Sequence, residues 1–290
     1  MIIADEMHVD INDFKKNCIV FTSDTESNCP GGMSKIGGNP DVPETFTWPV
    51  YRILENGKEV PHYPETPLSF VAQFNLEEIA EYDKDNVLPH HGMLYFFYEL
   101  GDIFCDVTLK GEHSQRVYYF DTDAGSLHEQ GYPEHLPGGV HVKESGLAFS
   151  TEYNYAAPDE VEEIFDGIDI DEYIEDLNEI GFDHEERLEE VDKQHKLLGY
   201  ADIIQNSMLC ICETAYSGLR PEKLSKEERQ VFRMNAGEWI LLAQIGTLPD
   251  GGTLPDDGMI GDGGVIYFYI RKEDLAKKDF SKVQAFAECF

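Results

Sequence analysis

Residues 68–75 read Leu68-Ser69-Phe70-Val71-Ala72-Gln73-Phe74-Asn75. Leu68, Phe70, Ala72 and Phe74 fall on one face; Ser69, Val71 and Gln73 fall on the other. That is the period of a β-strand. One amide, Gln73, sits inside an otherwise apolar run. The pattern returns at residues 239–246, Trp-Ile-Leu-Leu-Ala-Gln-Ile-Gly, where Gln244 takes the same place. Two further blocks keep the same order. Ser34–Pro40 (SKIGGNP) aligns with His195–Ala201 (HKLLGYA), and Gly92–Tyr98 (GMLYFFY) with Gly264–Ile270 (GVIYFYI). Seven of these 22 columns are identical. The gaps are similar: Gln73 to Gly92 is 19 residues and Gln244 to Gly264 is 20, while Lys35 to Gln73 is 38 and Lys196 to Gln244 is 48. The expectation is an α+β fold of two related half-units with antiparallel or mixed sheet, arranged about a pseudo-twofold axis.

Working outward, Asp10 is placed to cap a short helix that leads into a strand at Cys18–Phe21. Thr45–Leu54 is aromatic and β-rich, and Asn56-Gly57 is a hairpin signal. A short helix is expected at Leu76–Tyr82. Met93–Tyr98 is continuously apolar, as a strand covered on both faces would be. Further strands are expected at Arg116–Phe120, Leu147–Tyr153, Met208–Glu213, Glu238–Ile245 and Val265–Ile270. Helices are expected around Ser225–Arg233 and from Glu273 onward.

Residues 159–192 have a different character. They hold 17 acids and one base, Arg187, a net of −16 within a chain whose net charge is −35. Val161, Ile164, Phe165 and Ile168 form a helical stripe, and Tyr173, Ile174, Leu177 and Ile180 repeat it. Asp169 with Glu172, and Asp183 with Glu186, resemble capping boxes. Two or three short amphipathic helices are expected, apolar side down. The chain thus reads as one compact domain over 1–290, with half-units at 18–158 and 193–290 joined by an acidic helical connector at 159–192.

The chain has 290 residues, 41% of them hydrophobic, enough for a sizeable core. With 57 acidic residues against 22 basic ones, repulsion opposes nucleic acid or an anionic membrane surface as a partner. The first residues carry acids where a signal peptide needs positive charge, and the longest apolar runs are only strand-length. Six cysteines are too sparse for a disulfide scaffold, so reduced thiols in a cytoplasmic protein are expected.

Ser34-Lys35-Ile36-Gly37-Gly38 with Pro40, Pro43 and Trp48-Pro49, then Pro67-Leu68, Phe70, Gln73, Asn75-Leu76, Leu88-Pro89, Gly92 and Phe96-Phe97, form one set of landmarks. A second set is His195-Lys196-Leu197, Gly199-Tyr200, Gln205, Trp239, Gln244, Gly261-Asp262, Gly264 and Asp279-Phe280. On these motifs, from about residue 30 to residue 283, the chain resembles the YwqG-like family, an uncharacterised and mostly bacterial group. Ala201 departs from the proline expected there. The resemblance implies a single compact α+β protein with no established activity and, for some relatives, an immunity or accessory role in toxin systems.

Chemical motifs are sparse. GGMSKIGG lacks the lysine and hydroxyl of a phosphate loop and reads as a turn packed closely on a sheet. The adjacent rings of His90 and His91 diverge. Cys210 and Cys212, on an expected strand, read as buried small hydrophobes. The loop with Asp250, Asp256, Asp257 and Asp262 is only a weak candidate for a hard cation. Neither a metal nor a cofactor is expected.

A buried amide needs fixed partners, so Gln73 and Gln244 either tie down the Lys-Gly loop of their own half or point into a shared cleft. Two function classes stay open. In one, a non-catalytic interaction protein binds a basic partner through an acidic face carrying Glu162, Glu163, Asp171, Glu172, Glu175 and Asp176. In the other, a small-molecule-binding protein or enzyme uses a cleft lined by Lys35, Gln73, His195, Lys196, Gln244 and Asp262.

Overall fold

Alternating apolar residues pair into ten strands of one antiparallel sheet, seen in a computed structural model that describes residues 10–24, 29–51, 54–55, 58–59, 65–100, 114–133, 140–165, 168–218, 225–247 and 264–289. The strands are β1 (Lys15–Asp24), β2 (Lys35–Ile36), β3 (Ser69–Asn75), β4 (Met93–Tyr98), β5 (Gln115–Phe120), β6 (Ser145–Tyr155), β7 (His195–Leu198), β8 (Trp239–Gly246), β9 (Gly264–Arg271) and β10 (Gln284–Cys289). Their order across the sheet is β5-β4-β3-β2-β6-β1-β7-β8-β9-β10. The two long strands β1 and β6 pair along their whole length at the centre, from Lys15 opposite Tyr155 to Asp24 opposite Gly146. β1 lies beside β7, while β6 lies beside β2.

The outer strands curl toward one another. The Gln115 side-chain amide donates to the Val283 carbonyl at 2.7 Å, and the Tyr119 ring packs 5.5 Å from that of Phe280. The result is a nearly closed barrel. Its interior holds Ile19, Phe21, Phe74, Phe96, Leu242, Ile266 and Phe268. Phe96 and Phe268, from the two sides of the sheet, meet edge to face at 5.0 Å. Every residue of Met93–Tyr98 is buried because the outer face is covered too. Over β3 and β4 the cover includes Phe46, Trp48 and Leu127. Over β8 and β9 it includes two helices, α5 (Leu209–Ser217) and α6 (Lys226–Ala236).

Among the described residues the other helices are α1 (Leu76–Ile79), α2 (Pro158–Ile164), α3 (Ile170–Glu179), α4 (His184–Leu188) and α7 (Lys272–Ala276). The acidic connector therefore forms three helices. Asp169 and Asp183 cap α3 and α4 by accepting backbone N–H bonds, as their spacing suggested. The apolar stripe packs inward only in part: Val161, Tyr173 and Leu177 bury against Phe14, Tyr155 and Tyr200, whereas Phe165, Ile174 and Ile180 stay exposed.

Three expectations need correction. Met208–Glu213 is not a strand but the start of α5, because its short apolar run fits a helix packed on a sheet as well as a strand. Cys210 and Cys212 therefore do not share a face; Cys212 is buried and Cys210 half-buried. Beyond Glu273 the helix ends at Ala276, and the chain returns as the barrel strand β10. Among the described residues of 45–54, only Val50–Tyr51 and Leu54 enter short two-residue ladders, and 43–49 is irregular. Leu54–Glu55 pairs with Lys58–Glu59, while the Asn56-Gly57 turn between them lies outside the described residues.

Candidate functional site

β2 and β3 bring Lys35 opposite Gln73, and β4 brings Tyr95 opposite Gln73 on the other side. The loop after β2 turns back through Gly37 and Gly38, both at positive φ. A Cβ on Gly37 would lie 2.4 Å from the Lys143 carbonyl oxygen, so the turn packs closely on the chain entering β6. It delivers Asp41 onto the Gln73 amide. The Asp41 backbone N–H donates to Gln73 Oε1 at 2.8 Å, and Gln73 Nε2 donates to Asp41 Oδ2 at 2.8 Å and to the Met33 carbonyl at 2.7 Å. Lys35 Nζ lies 3.2 Å from Asp41 Oδ2 and 3.0 Å from Glu144. The Tyr95 hydroxyl donates to the Asp41 carbonyl at 2.5 Å. Burial opposes the Lys35 charge, but Glu144 and Asp41 outweigh it and hold the amine above its ordinary pKa.

The same set recurs around β7, β8 and β9. Lys196 opposes Gln244, and Gln244 opposes Tyr267. The Asp202 N–H donates to Gln244 Oε1 at 2.9 Å, and Gln244 Nε2 donates to Asp202 Oδ2 at 3.0 Å. Lys196 Nζ sits 2.5 Å from that same oxygen, and the Tyr267 hydroxyl donates to the Asp202 carbonyl at 2.7 Å. Here Leu198 and Gly199 take positive φ, where the first set has Gly37 and Gly38. Asp202 Oδ1 accepts from Arg187 Nε at 3.0 Å. Burial works against the Asp202 charge, but Lys196 and Arg187 prevail and hold its pKa down to about 2.

Each glutamine thus ties down the loop that carries its aspartate. Among the described residues no hydrogen bond or ion pair joins one set to the other, and β6 and β1 lie between them. Lys35 and Gln73 come together, as do Lys196 and Gln244, but the two pairs do not line one cleft. His195 lies apart from both, facing the interior. Its ring stacks on Phe21 at 5.5 Å, and Nδ1 accepts the Gly246 N–H at 3.1 Å. Burial lowers its pKa to about 4, leaving a neutral ring. Asp262 lies outside the described residues, as do Asp250, Asp256 and Asp257.

Reading the sequence missed the residue at the centre of each set. Asp41 and Asp202 stand one position beyond the end of the aligned SKIGGNP and HKLLGYA blocks, so extending the alignment by one column finds both. Tyr95 and Tyr267 occupy an identical column of the third block.

On the acidic connector, Glu162, Asp171, Glu172 and Glu175 are exposed and Asp176 is half-buried. Glu163 differs from that expectation. Its Oε1 accepts the Cys210 N–H at 3.1 Å and its other oxygen bonds the Ser207 hydroxyl, so it serves the N-terminus of α5 instead of the outer face. Glu160 is buried beneath the connector.

Cys18, Cys210 and Cys212 are free thiols. Burial raises the thiol of Cys18 to about 11 and that of Cys210 to about 12, the opposite of an activated cysteine. Glu77, His91 and Asp123 bring ligand atoms within 4.8 Å of one another on the surface. His91 Nδ1 lies 2.7 Å from Glu77, which raises the imidazole pKa.

No helix among the described residues is long and apolar enough to cross a membrane. No curated protein matches the chain. A family model described as a domain of unknown function, DUF1963, matches residues 34–289, a span that contains both Lys-Asp-Gln-Tyr sets, and the chain therefore belongs to that family.

Proposed function

We propose that this is a non-catalytic binding protein whose acidic connector receives a basic protein partner. The observation that carries the reading is the placement of charge on that connector. Its single base, Arg187, is turned inward onto Asp202, while Glu162, Asp171, Glu172 and Glu175 face solvent. The outer face is thus left with no cation of its own. Ile174 and Ile180 stand exposed among these acids and offer apolar contact to whatever the charge attracts. A surface of one sign speeds encounter with an oppositely charged partner and makes binding sensitive to salt. An immunity-like or accessory role, implied by the YwqG-like resemblance, is of this kind.

The scaffold that presents this face is, in the same proposal, a duplicated unit. Each copy would be five strands, β1–β5 and β6–β10, with the first strand of each exchanged into the other. The strand order and the repeated Lys-Asp-Gln-Tyr sets support that reading. It leaves Lys35, Gln73, Lys196 and Gln244 as structural ties, each engaged by its own aspartate. That weakens the alternative of a small-molecule site or enzyme built on those four.

The test is affinity capture from source-cell lysate at low and high salt, read by mass spectrometry. The wild-type chain is compared with a variant carrying Glu162→Gln, Asp171→Asn, Glu172→Gln and Glu175→Gln. A stoichiometric basic protein lost both at high salt and in the variant supports the reading. Capture indifferent to both, or no specific capture, overturns it.

A further inference from the structure

Under α2, and separate from the acidic outer face, lies a pocket of about 160 Å³. Its walls are apolar: Ile164, Leu209, Trp239 and Leu241. Two polar atoms in its lining have no hydrogen-bond partner, although both are buried: Glu160 Oε2 and the Tyr269 hydroxyl. Glu160 is 2% exposed and Tyr269 is 1% exposed. Buried polar groups are ordinarily hydrogen-bonded, so both keep hydrogen-bonding capacity that an occupant would use. Lys16 and Lys272 also line the pocket. The Lys16 ammonium lies 3.8 Å from the centre of the Tyr200 ring, and Lys272 donates to the Gly237 carbonyl at 2.7 Å.

We infer that this pocket binds a small zwitterion of the α-amino-acid class, with its ammonium on Glu160 and Tyr269, its carboxylate toward Lys16 and Lys272, and an apolar side chain against Trp239 and Leu241. Three features select this class. The buried carboxylate calls for a donor, the Tyr269 oxygen can accept from the same group, and a cationic donor makes the stronger bond. Lys16 and Lys272 add positive charge to the same lining, Lys16 facing the Glu160 charge and Lys272 shared with Glu238 at 3.8 Å. Ile164, Leu209, Trp239 and Leu241 offer apolar surface to an apolar side chain. The volume equals about five waters at ~30 Å³ each, which limits the guest to a small molecule. Burial raises the Glu160 pKa to about 7 against the opposing pull of Lys16.

The test is calorimetry on the full chain with three probes: L-leucine, 3-methylbutylamine, which lacks its carboxylate, and 4-methylpentanoate, which lacks its amine. Leucine is expected to bind and the other two to bind at least about tenfold more weakly. Glu160→Gln and Lys16→Met, each checked for folding by circular dichroism, are expected to weaken leucine about tenfold or more. A crystal of the wild-type chain grown with leucine gives a readout independent of the variants, with density expected between Glu160 and Trp239. The inference is overturned if leucine does not bind, if the amine alone binds as well as leucine, if both variants bind normally, or if the density lies elsewhere. None of these results bears on the acidic outer face, so the two readings succeed or fail separately.

Discussion

Arg187 Nε donates to Asp202 Oδ1 at 3.0 Å, while Lys196 Nζ occupies Asp202 Oδ2 at 2.5 Å. One buried carboxylate thereby joins the acidic connector to the barrel and neutralises a lysine that is 1% exposed. Removing one member of such a pair leaves the other charged and uncompensated, which costs more than the pair contributes.

Asp202→Asn is therefore expected to destabilise the chain by about 3–5 kcal/mol in urea unfolding. Asp41→Asn should cost less, about 1–3 kcal/mol, because Lys35 keeps Glu144 at 3.0 Å as a second, half-exposed partner. Adding Lys196→Met to Asp202→Asn should recover part of the loss. Equal costs at the two aspartates would refute the asymmetry.

Acid sensitivity should trace to His195. Its folded pKa, near 4, is below the ordinary value of 6.5, so the unfolded chain takes up the proton first. The stability from its neutral ring is complete above pH 6.5 and is lost as pH falls toward 4. Asp202 adds its own loss only below 3.8, toward 2. Glu160 runs the other way: its raised pKa gives stability complete below 4.5 and lost as pH rises toward 7. The informative measurement is thus the difference between wild type and His195→Gln. Between pH 6.5 and pH 4 the wild type should lose up to about 3 kcal/mol more than the variant.

Gly199 and Gly181 make a matched pair of backbone tests. Both have positive φ, near +75°. A Cβ on Gly199 would lie 2.6 Å from Asn154 Oδ1 and 2.7 Å from the Cys18 Cβ, whereas one on Gly181 meets nothing within 4 Å. Gly181→Ala should cost about 1 kcal/mol, the conformational strain alone. Gly199→Ala should cost clearly more and lower the thermal midpoint further, because the clash adds to the strain.

Charge removal on the connector should separate by position. Glu163→Gln weakens the bonds to Cys210 and Ser207 and is expected to cost about 1 kcal/mol. Glu162→Gln with Glu175→Gln removes exposed like charges, so it should leave stability unchanged or raise it slightly at low salt, with the gain fading at high salt. A loss of stability at low salt from the exposed pair would contradict that placement.

Much of the architecture was legible because strands and caps are local. The alternation at Leu68–Asn75, the two-face burial of Met93–Tyr98 and the Asp169 and Asp183 caps follow from residues within a few positions of each other. α5 was misread because Met208–Glu213 is a short apolar run that either element can bury, and only packing on β8 and β9 distinguishes them. β10 was hidden because Gln284–Cys289 is an edge strand with mixed residues and no strong alternation. In the candidate sites, Gln73 and Gln244 were identified as buried amides in need of partners, but Asp41 and Asp202 were not seen to be those partners.

The amino-acid sequence by itself determined which residues leave water and how often, since burial periodicity and capping depend on near neighbours along the chain. It also carried the recurrence of lysine, glutamine and tyrosine in the same order. The tertiary structure alone decided which groups meet: β1 beside β7 and β6 beside β2, Arg187 on Asp202, Glu163 on the end of α5, and Glu160 beside Tyr269 under α2. Those pairings join residues that are mostly tens of positions apart. A buried charge or amide takes whichever complement the closed barrel brings within about 3 Å, and that proximity is set by strand order and helix packing, not by spacing along the chain.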